Sequence, residues 1–162
     1  MRLIFLDIDG VLNCQLFYDE QLDGSYVEQN ICKKRVGWLN DLCKDTGAKI
    51  VISSTWRMGR TIDEMRDILN EVGATFEIIG MTPILRNEGC VRGNEIQQWI
   101  EKNDSITGLP YYDYSDYVII DDDSDMLLWQ KDNFFQTDSY SGLTPNTCYK
   151  IQKFFHKKDI HH

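Results

Sequence analysis

The sequence predicts an α/β fold: one domain with a mostly parallel sheet covered by helices on both faces, three layers in all. Three observations lead there. Short apolar runs such as "LIFL" (3–6) and "AKIVISS" (48–54) show little polar alternation, as strands covered on both faces do. Segments with apolar residues at helical spacing lie between these runs. The order strand, helix, strand, helix holds along the chain, and helical crossovers between parallel strands satisfy it.

Each element can be justified in turn. Residues 2–9 read as the first strand. Residues 31–46 read as a helix, with Val36, Leu39, Leu42 and Cys43 on one side and Gly47 as its stop. Residues 48–54 form the second strand. In 61–73, Ile62, Met65, Ile68, Leu69 and Val72 are in helical phase. "TFEIIG" (75–80) is a short strand, and "GNEIQQWIEKN" (93–103) a helix carrying Ile96, Trp99 and Ile100. "DYVIID" (116–121) is the next strand, 125–131 a short helix and "NFFQT" (133–137) the last strand. The closing helix spans 144–155, with Thr144 as N-cap and Pro145 at its first position. Residues 14–30 and 104–115 read as loops, the first long enough for a short flap. The domain is expected to span 1–157, with 158–162 a tail, its terminal His161 and His162 resembling a cut-off tag.

Composition narrows the function classes. Hydrophobic residues make up 42% and charged residues 27%, an ordinary globular balance. No apolar run approaches the ~18 residues a bilayer span needs, and no signal-peptide pattern opens the chain, so a cytoplasmic protein without membrane contact is expected. Five scattered cysteines, none in a CxxC pair, point to reduced thiols used as small apolar residues. A formal net charge of −9 argues against indiscriminate nucleic-acid binding. It leaves room for recognition of a nucleotide or a nucleic-acid end through a local basic spot. The oligomeric state is left open.

In open parallel sheets, ligands bind beyond the carboxyl ends of the strands. Asp7, Asp9 and Gly10 follow the first strand; Ser53, Ser54, Thr55 and Arg57 the second; Asp121, Asp122, Asp123 and Asp125 the fourth. Residues i and i+2 of a strand point to one face, so Asp7 and Asp9 are expected to aim together. Two unit charges ~4 Å apart repel by about 4 kcal/mol at an effective dielectric of ~20. A cation should therefore sit among these acids, and oxygen ligands suit a hard divalent ion such as Mg²⁺.

"FLDIDGVLN", "IVISS" and "YVIIDDDSDM" resemble the first, second and fourth motifs of the haloacid dehalogenase (HAD) superfamily. "ISSTWR", "RGNEIQQWI", "VIIDDDSDM" and "TDSYSGLT" together resemble the small HAD domains associated with RNA-repair proteins. The resemblance covers residues 1 to about 150. It implies a Rossmann-like domain acting as a Mg²⁺-dependent phosphomonoesterase through an aspartyl phosphate. Asp7 would be the nucleophile, and Asp9 the general acid and then base. Mg²⁺ would contact the Asp7 side chain, the Asp9 backbone carbonyl and an acid of 121–125, Asp122 by alignment or Asp121 one place earlier. Asp121 and Asp125 would orient the ligand or its waters. Ser53, or Ser54 beside it, would bind a phosphate oxygen, and Gly10 and Val11 would offer backbone N–H groups to the phosphoryl. The family's third motif is a lysine; Arg92 is the nearest cation here. Arg57 is expected to reach the substrate, Arg60 less so.

A cap usually selects the substrate in this family, inserted after the first or third strand. Residues 80–92 are too short to hold one, so an open site and no large cap domain are expected. Phe17, Tyr18 and Tyr26, or Tyr111, Tyr112 and Tyr114, are candidates for stacking on a base. The expected substrate is a nucleotide or a nucleic-acid terminal phosphate, a nucleotidase-like activity. The alternatives are a phosphatase for a small sugar phosphate and a non-catalytic phosphate-binding module.

Overall fold

The structure is a computed structural model that describes residues 1–20, 31–85, 89–107 and 116–161. Strands β1 (Leu3–Leu6), β2 (Lys49–Ile52), β3 (Ile78–Met81), β4 (Tyr117–Asp121) and β5 (Phe134–Gln136) form one sheet in the order β3-β2-β1-β4-β5. Every pairing is parallel. The helices are α1 (Gln15–Glu20), α2 (Lys33–Thr46), α3 (Ile62–Glu71), α4 (Arg92–Lys102), α5 (Asp104–Thr107) and α6 (Pro145–His161).

Strand alternation sorts the core into two layers. Ile4, Leu6, Ile50 and Ile52 pack with Val36 and Leu39 of α2, Met65 and Leu69 of α3, and Ile151 and Phe155 of α6. Leu3, Phe5, Val51 and Ile119 face the other way, onto Ile96, Trp99 and Ile100 of α4. Phe5 meets Trp99 and Tyr117 edge-on at centroid distances of 5.6 and 5.7 Å. The result is the Rossmann-like three-layer α/β domain read from the sequence, with no cap domain among the described residues.

Local signals set the helix ends. Thr61 and Glu64 form a reciprocal capping box at the start of α3. Gly47 ends α2 at φ 71°, its N–H donating to the Cys43 carbonyl. Thr144 Oγ1 accepts from Thr147 N–H at 3.3 Å and caps α6.

Several boundaries differ from the sequence expectation. The first strand stops at Leu6, not at residue 9, because the chain turns there: Val11 and Leu12 N–H both donate back to the Ile8 carbonyl. The 14–30 stretch contains α1, while its residues 21–30 lie outside the described residues, as do 86–88 and 108–115. Tyr26, Tyr111, Tyr112 and Tyr114 fall in those segments. The short helix expected at 125–131 is a 3-10 turn at Leu128–Asn133. The closing helix runs on to His161, through the segment read as a tail, and Asp159 there pairs with Arg2.

β1 is central, and the chain leaves it for β2 on one side and, later, β4 on the other. This is a topological switch point, where parallel sheets open a crevice. The register pairs Leu6 with both Ile52 and Ile120, so the residues just past these strands stand side by side.

Candidate active site

Sheet hydrogen bonds carry on one step beyond the strands. Asp7 N–H donates to the Ile120 carbonyl at 3.0 Å, and Ser53 N–H to the Leu6 carbonyl at 2.9 Å. The backbone thereby places Asp7 between Ser53 and the acids after β4. Asp7, Asp121 and Asp122 each offer an oxygen within 4.8 Å of the others. Asp121 is 1% exposed and Asp7 6%, with Asp122 half-buried at the mouth, so the cluster is rooted in the core and is not a solvated acidic face.

Arg92, the first residue of α4, spans the cluster. Its Nη1 lies 3.9 Å from Asp7 Oδ1 and its Nε 3.8 Å from Asp121 Oδ2. Its backbone N–H donates to Asp125 Oδ2 at 3.1 Å. Gly93 lets the 125–127 loop pack this close: a Cβ there would lie 2.6 Å from Leu127 N. Asp125, expected to orient ligand or water, thus anchors the start of α4 and holds Arg92 in place.

Asp7 and Asp121 lie within 4 Å of the Arg92 guanidinium, and Asp122 and Asp125 add two more carboxylates at this rim, so full ionisation leaves negative charge in excess. Burial pushes the Asp7 carboxyl up from 3.8 to about 6, against the pull of Arg92. Burial, then repulsion from Asp7, pushes Asp121 up to about 8. Four buried side-chain atoms at this rim have no hydrogen-bond partner: Ser53 Oγ, Arg92 Nη1, Asp121 Oδ2 and Asp125 Oδ1. Buried polar groups are ordinarily satisfied. Here unmet acceptors and unmet donors collect at one place, which suits a hard cation beside an oxyanion. Asp7, Asp121 and Asp122 form a group that could hold a metal ion, and an all-oxygen set suits a hard one.

Asp9 is exposed, unlike Asp7, because strand alternation no longer governs the chain past Leu6. Its Oδ1 accepts from Asn13 Nδ2 at 2.8 Å and from Trp56 Nε1 at 2.9 Å. The loop departs from expectation at Gly10 and Val11. Gly10 N–H donates to Asn13 Oδ1 at 3.1 Å, and Val11 N–H to the Ile8 carbonyl at 3.1 Å. Both amides are spent inside the loop, so neither is turned toward a ligand. Gly10 matters sterically instead, at φ 76°, where a Cβ would lie 2.2 Å from Asp122 Oδ2.

The two serines after β2 divide in role. Ser53 is fully buried with an unpartnered hydroxyl at the rim. Ser54 Oγ accepts from Trp56 N–H at 3.2 Å and caps the 3-10 turn Thr55–Arg57. Arg57 does not reach outward as expected. It is 4% exposed, and every guanidinium nitrogen is engaged. Nε donates to the Thr82 carbonyl, Nη1 to the Ser53 and Ser54 carbonyls, and Nη2 to the Pro83 carbonyl and the Glu95 carboxylate. It braces the backbone beneath Ser53 and Ser54. Arg60 is likewise occupied: its Nη1 donates to the Trp56 carbonyl and its guanidinium stacks on the Trp56 ring.

Sequence reasoning missed Asn13, Trp56, Glu95 and Tyr140. A groove of about 470 Å³ opens beside the carboxylates, lined in part by Asp9, Gly10, Asp122, Tyr18, Ser139 and Tyr140. Tyr18 reaches it, whereas Phe17 lines a different hollow with Ile31 and Val72. The turn carrying Tyr140 is fixed by Asp138 Oδ1, which accepts Tyr140 N–H at 2.8 Å, and by Leu16 N–H, which donates to the Tyr140 carbonyl at 2.9 Å. The quoted "TDSYSGLT" was the signal available for it.

No helix among the described residues is long and apolar enough to cross a membrane. No curated protein matches the chain at a significant level. Over residues 3–148 the chain matches a family described as the HAD domain in Swiss Army Knife RNA repair proteins. That span covers every strand and every site residue named above. With its parallel sheet, its acidic cluster at the switch point and this match along most of its length, the chain belongs to that family of HAD domains.

Proposed function

We propose that the protein is a Mg²⁺-dependent phosphomonoesterase that works through an aspartyl phosphate on Asp7. The observation that carries this reading is the convergence of unpartnered groups of opposite character at the end of β1. Acceptors on Asp121 and Asp125 sit beside donors on Ser53 and Arg92, and a phosphate bound next to a cation satisfies both kinds.

Asp7, Asp121 and Asp122 would hold Mg²⁺, which supplies charge neutralisation for the phosphoryl group and keeps these carboxyls ionised. The Asp7 carboxylate attacks phosphorus, and the ester P–O bond breaks with its electron pair going to the leaving oxygen. Asp9 donates its proton to that oxygen. A water then attacks the same phosphorus and gives a proton to Asp9. The bond between phosphorus and Asp7 breaks, which returns the Asp7 carboxylate and releases inorganic phosphate. Ser53 Oγ and Arg92 Nη1 donate to the phosphoryl oxygens throughout. Arg92 fills the place of the family's lysine, and its guanidinium can grip two oxygens at once.

The substrate reading is a nucleotide or a nucleic-acid terminal phosphate. The family's association with RNA repair supports it, as does the groove beside Asp9. Among the described residues that line this groove are Tyr18, Ser139 and Tyr140, with acids and no base. Such a lining suits the uncharged nucleoside part of a substrate more than a run of phosphates. The test is phosphate release from 5′- and 3′-phosphorylated RNA and DNA oligonucleotides, mononucleotides and sugar phosphates, with Mg²⁺ and with chelator. Selective turnover of nucleotide substrates supports the reading. Preference for sugar phosphates replaces the substrate, and Mg²⁺-dependent phosphate binding without turnover of any ester replaces the enzyme with a binder.

A further inference from the structure

We infer that Trp56 is a positioning residue for the proton-transfer group: its indole N–H fixes the Asp9 carboxyl so that Oδ2, not Oδ1, faces the leaving oxygen. The inference rests on the phosphatase reading above and gives a role to the tryptophan of "ISSTWR".

Asp9 Oδ1 receives two hydrogen bonds, from Trp56 Nε1 at 2.9 Å and from Asn13 Nδ2 at 2.8 Å. A carboxylate oxygen has two in-plane lone pairs, so these donors fill Oδ1 and leave Oδ2 as the oxygen that takes or gives a proton. Neither donor is loose. Asn13 is buried, and its own Oδ1 accepts Gly10 N–H, which sets which way the amide faces. Trp56 sits in a braced turn. Its N–H donates to Ser54 Oγ, its carbonyl accepts Arg60 Nη1 at 2.8 Å, and Arg60 covers its ring at 5.9 Å. Its neighbour Arg57 is locked by four carbonyls and Glu95. The end of β2 thus reaches across to the loop after β1 and sets the angle of a side chain there. Held at one oxygen by two rigid donors, the carboxyl keeps a single orientation through both half-reactions, in which it first gives and later takes a proton.

Trp56→Phe keeps the ring and removes the N–H. A group that orients a general acid matters most when the leaving oxygen needs a proton. An alkyl phosphate has such a leaving group, whereas p-nitrophenyl phosphate releases an acidic phenol. We expect kcat/KM of Trp56→Phe to fall on an alkyl phosphate by roughly 10-fold more than on p-nitrophenyl phosphate, a fraction of the roughly 100- to 10,000-fold that general acid catalysis contributes. In an Asp9→Asn background the same change should add no further selective loss. The indole proton of Trp56, assigned in a 1H–15N spectrum, should shift in Asp9→Asn. Equal losses on both esters, or an indole signal indifferent to Asp9→Asn, overturn the inference while leaving the phosphatase reading standing. A wild-type chain that turns over neither ester overturns the phosphatase reading, and this role falls with it.

Discussion

Asp122 occupies the space that any side chain on Gly10 would need: a Cβ at residue 10 would lie 2.2 Å from Asp122 Oδ2. The glycine of the first motif is therefore a steric allowance for the carboxylate of the fourth. Gly10→Ala must displace Asp122 or distort the loop, and φ 76° adds strain for any L side chain. We expect roughly 10- to 100-fold weaker Mg²⁺ binding by titration calorimetry, the range for changes that disturb metal-ligand placement. Wild-type affinity in Gly10→Ala would remove Asp122 from the ligand set.

Burial and mutual repulsion raise the carboxyls of Asp7 and Asp121, to about 6 and about 8. Both lie above the ordinary 3.8, so the metal-free folded state holds protons that the unfolded chain has released. Stability from these groups is fully present below about pH 4 and declines as pH rises through 6 and then 8. Mg²⁺ bound by these carboxyls would compete with those protons. The rise in Tm on adding Mg²⁺ should therefore be larger at pH 8 than at pH 5.5, by about 5 °C for a chain of this size. Thermal melts with Mg²⁺ and with chelator check this, and Asp121→Asn should flatten the pH trend.

Arg57 and Glu95 form a buried pair, with side chains 4% and 15% exposed. Burial lowers the Arg57 pKa and Glu95 opposes that shift. Arg57→Ala leaves Glu95 without its cation and takes the guanidinium donor from the Ser53, Ser54, Thr82 and Pro83 carbonyls, of which Ser54 keeps the residue-57 N–H at 3.1 Å. We expect a loss of about 3–5 kcal/mol in chemical denaturation, the usual cost of breaking a buried pair from one side. Arg57→Ala with Glu95→Gln should recover part of it. A loss under about 1 kcal/mol, typical of an exposed pair, would contradict this bracing role and leave open the substrate contact expected from the sequence.

Arg92 lies between Asp7 and Asp121, within 4 Å of both carboxylates. Arg92→Ala should cut kcat/KM by roughly 100-fold, as loss of a charge-stabilising donor does. Arg92→Lys should restore a part, because it keeps the charge and loses the fork. Steady-state kinetics on one ester decides this; full activity in Arg92→Ala would leave phosphate neutralisation to another group.

What the sequence made legible was local. Unbroken apolar runs announced β1, β2 and β4, and the acids directly after them followed the strand ends into one crevice. Gly47 and Thr144 marked helix ends by their own chemistry, while the Thr61 cap went unread. The misreadings arose where the third dimension decides. Alternation suggested that Asp7 and Asp9 share a setting, but the chain turns at Leu6 and parts them into a buried and an exposed carboxylate. The same turn directs the Gly10 and Val11 amides inward. Arg57 follows Ser53 closely in sequence, yet its direction depends on carbonyls at Thr82 and Pro83 and on Glu95, all far along the chain. Asn13 and Trp56 lie within the runs "FLDIDGVLN" and "ISSTWR", yet nothing in either run tells that folding brings both to one oxygen of Asp9.

The most direct test of the account is to look for the phosphoryl group on Asp7. The protein is mixed with Mg²⁺ and p-nitrophenyl phosphate or a phosphorylated oligonucleotide, quenched in acid, digested and read by mass spectrometry. The account predicts a hydroxylamine-sensitive phosphoryl adduct on the peptide containing Asp7, absent in Asp7→Asn together with turnover. Undiminished turnover in Asp7→Asn, or an adduct on another residue, would contradict it.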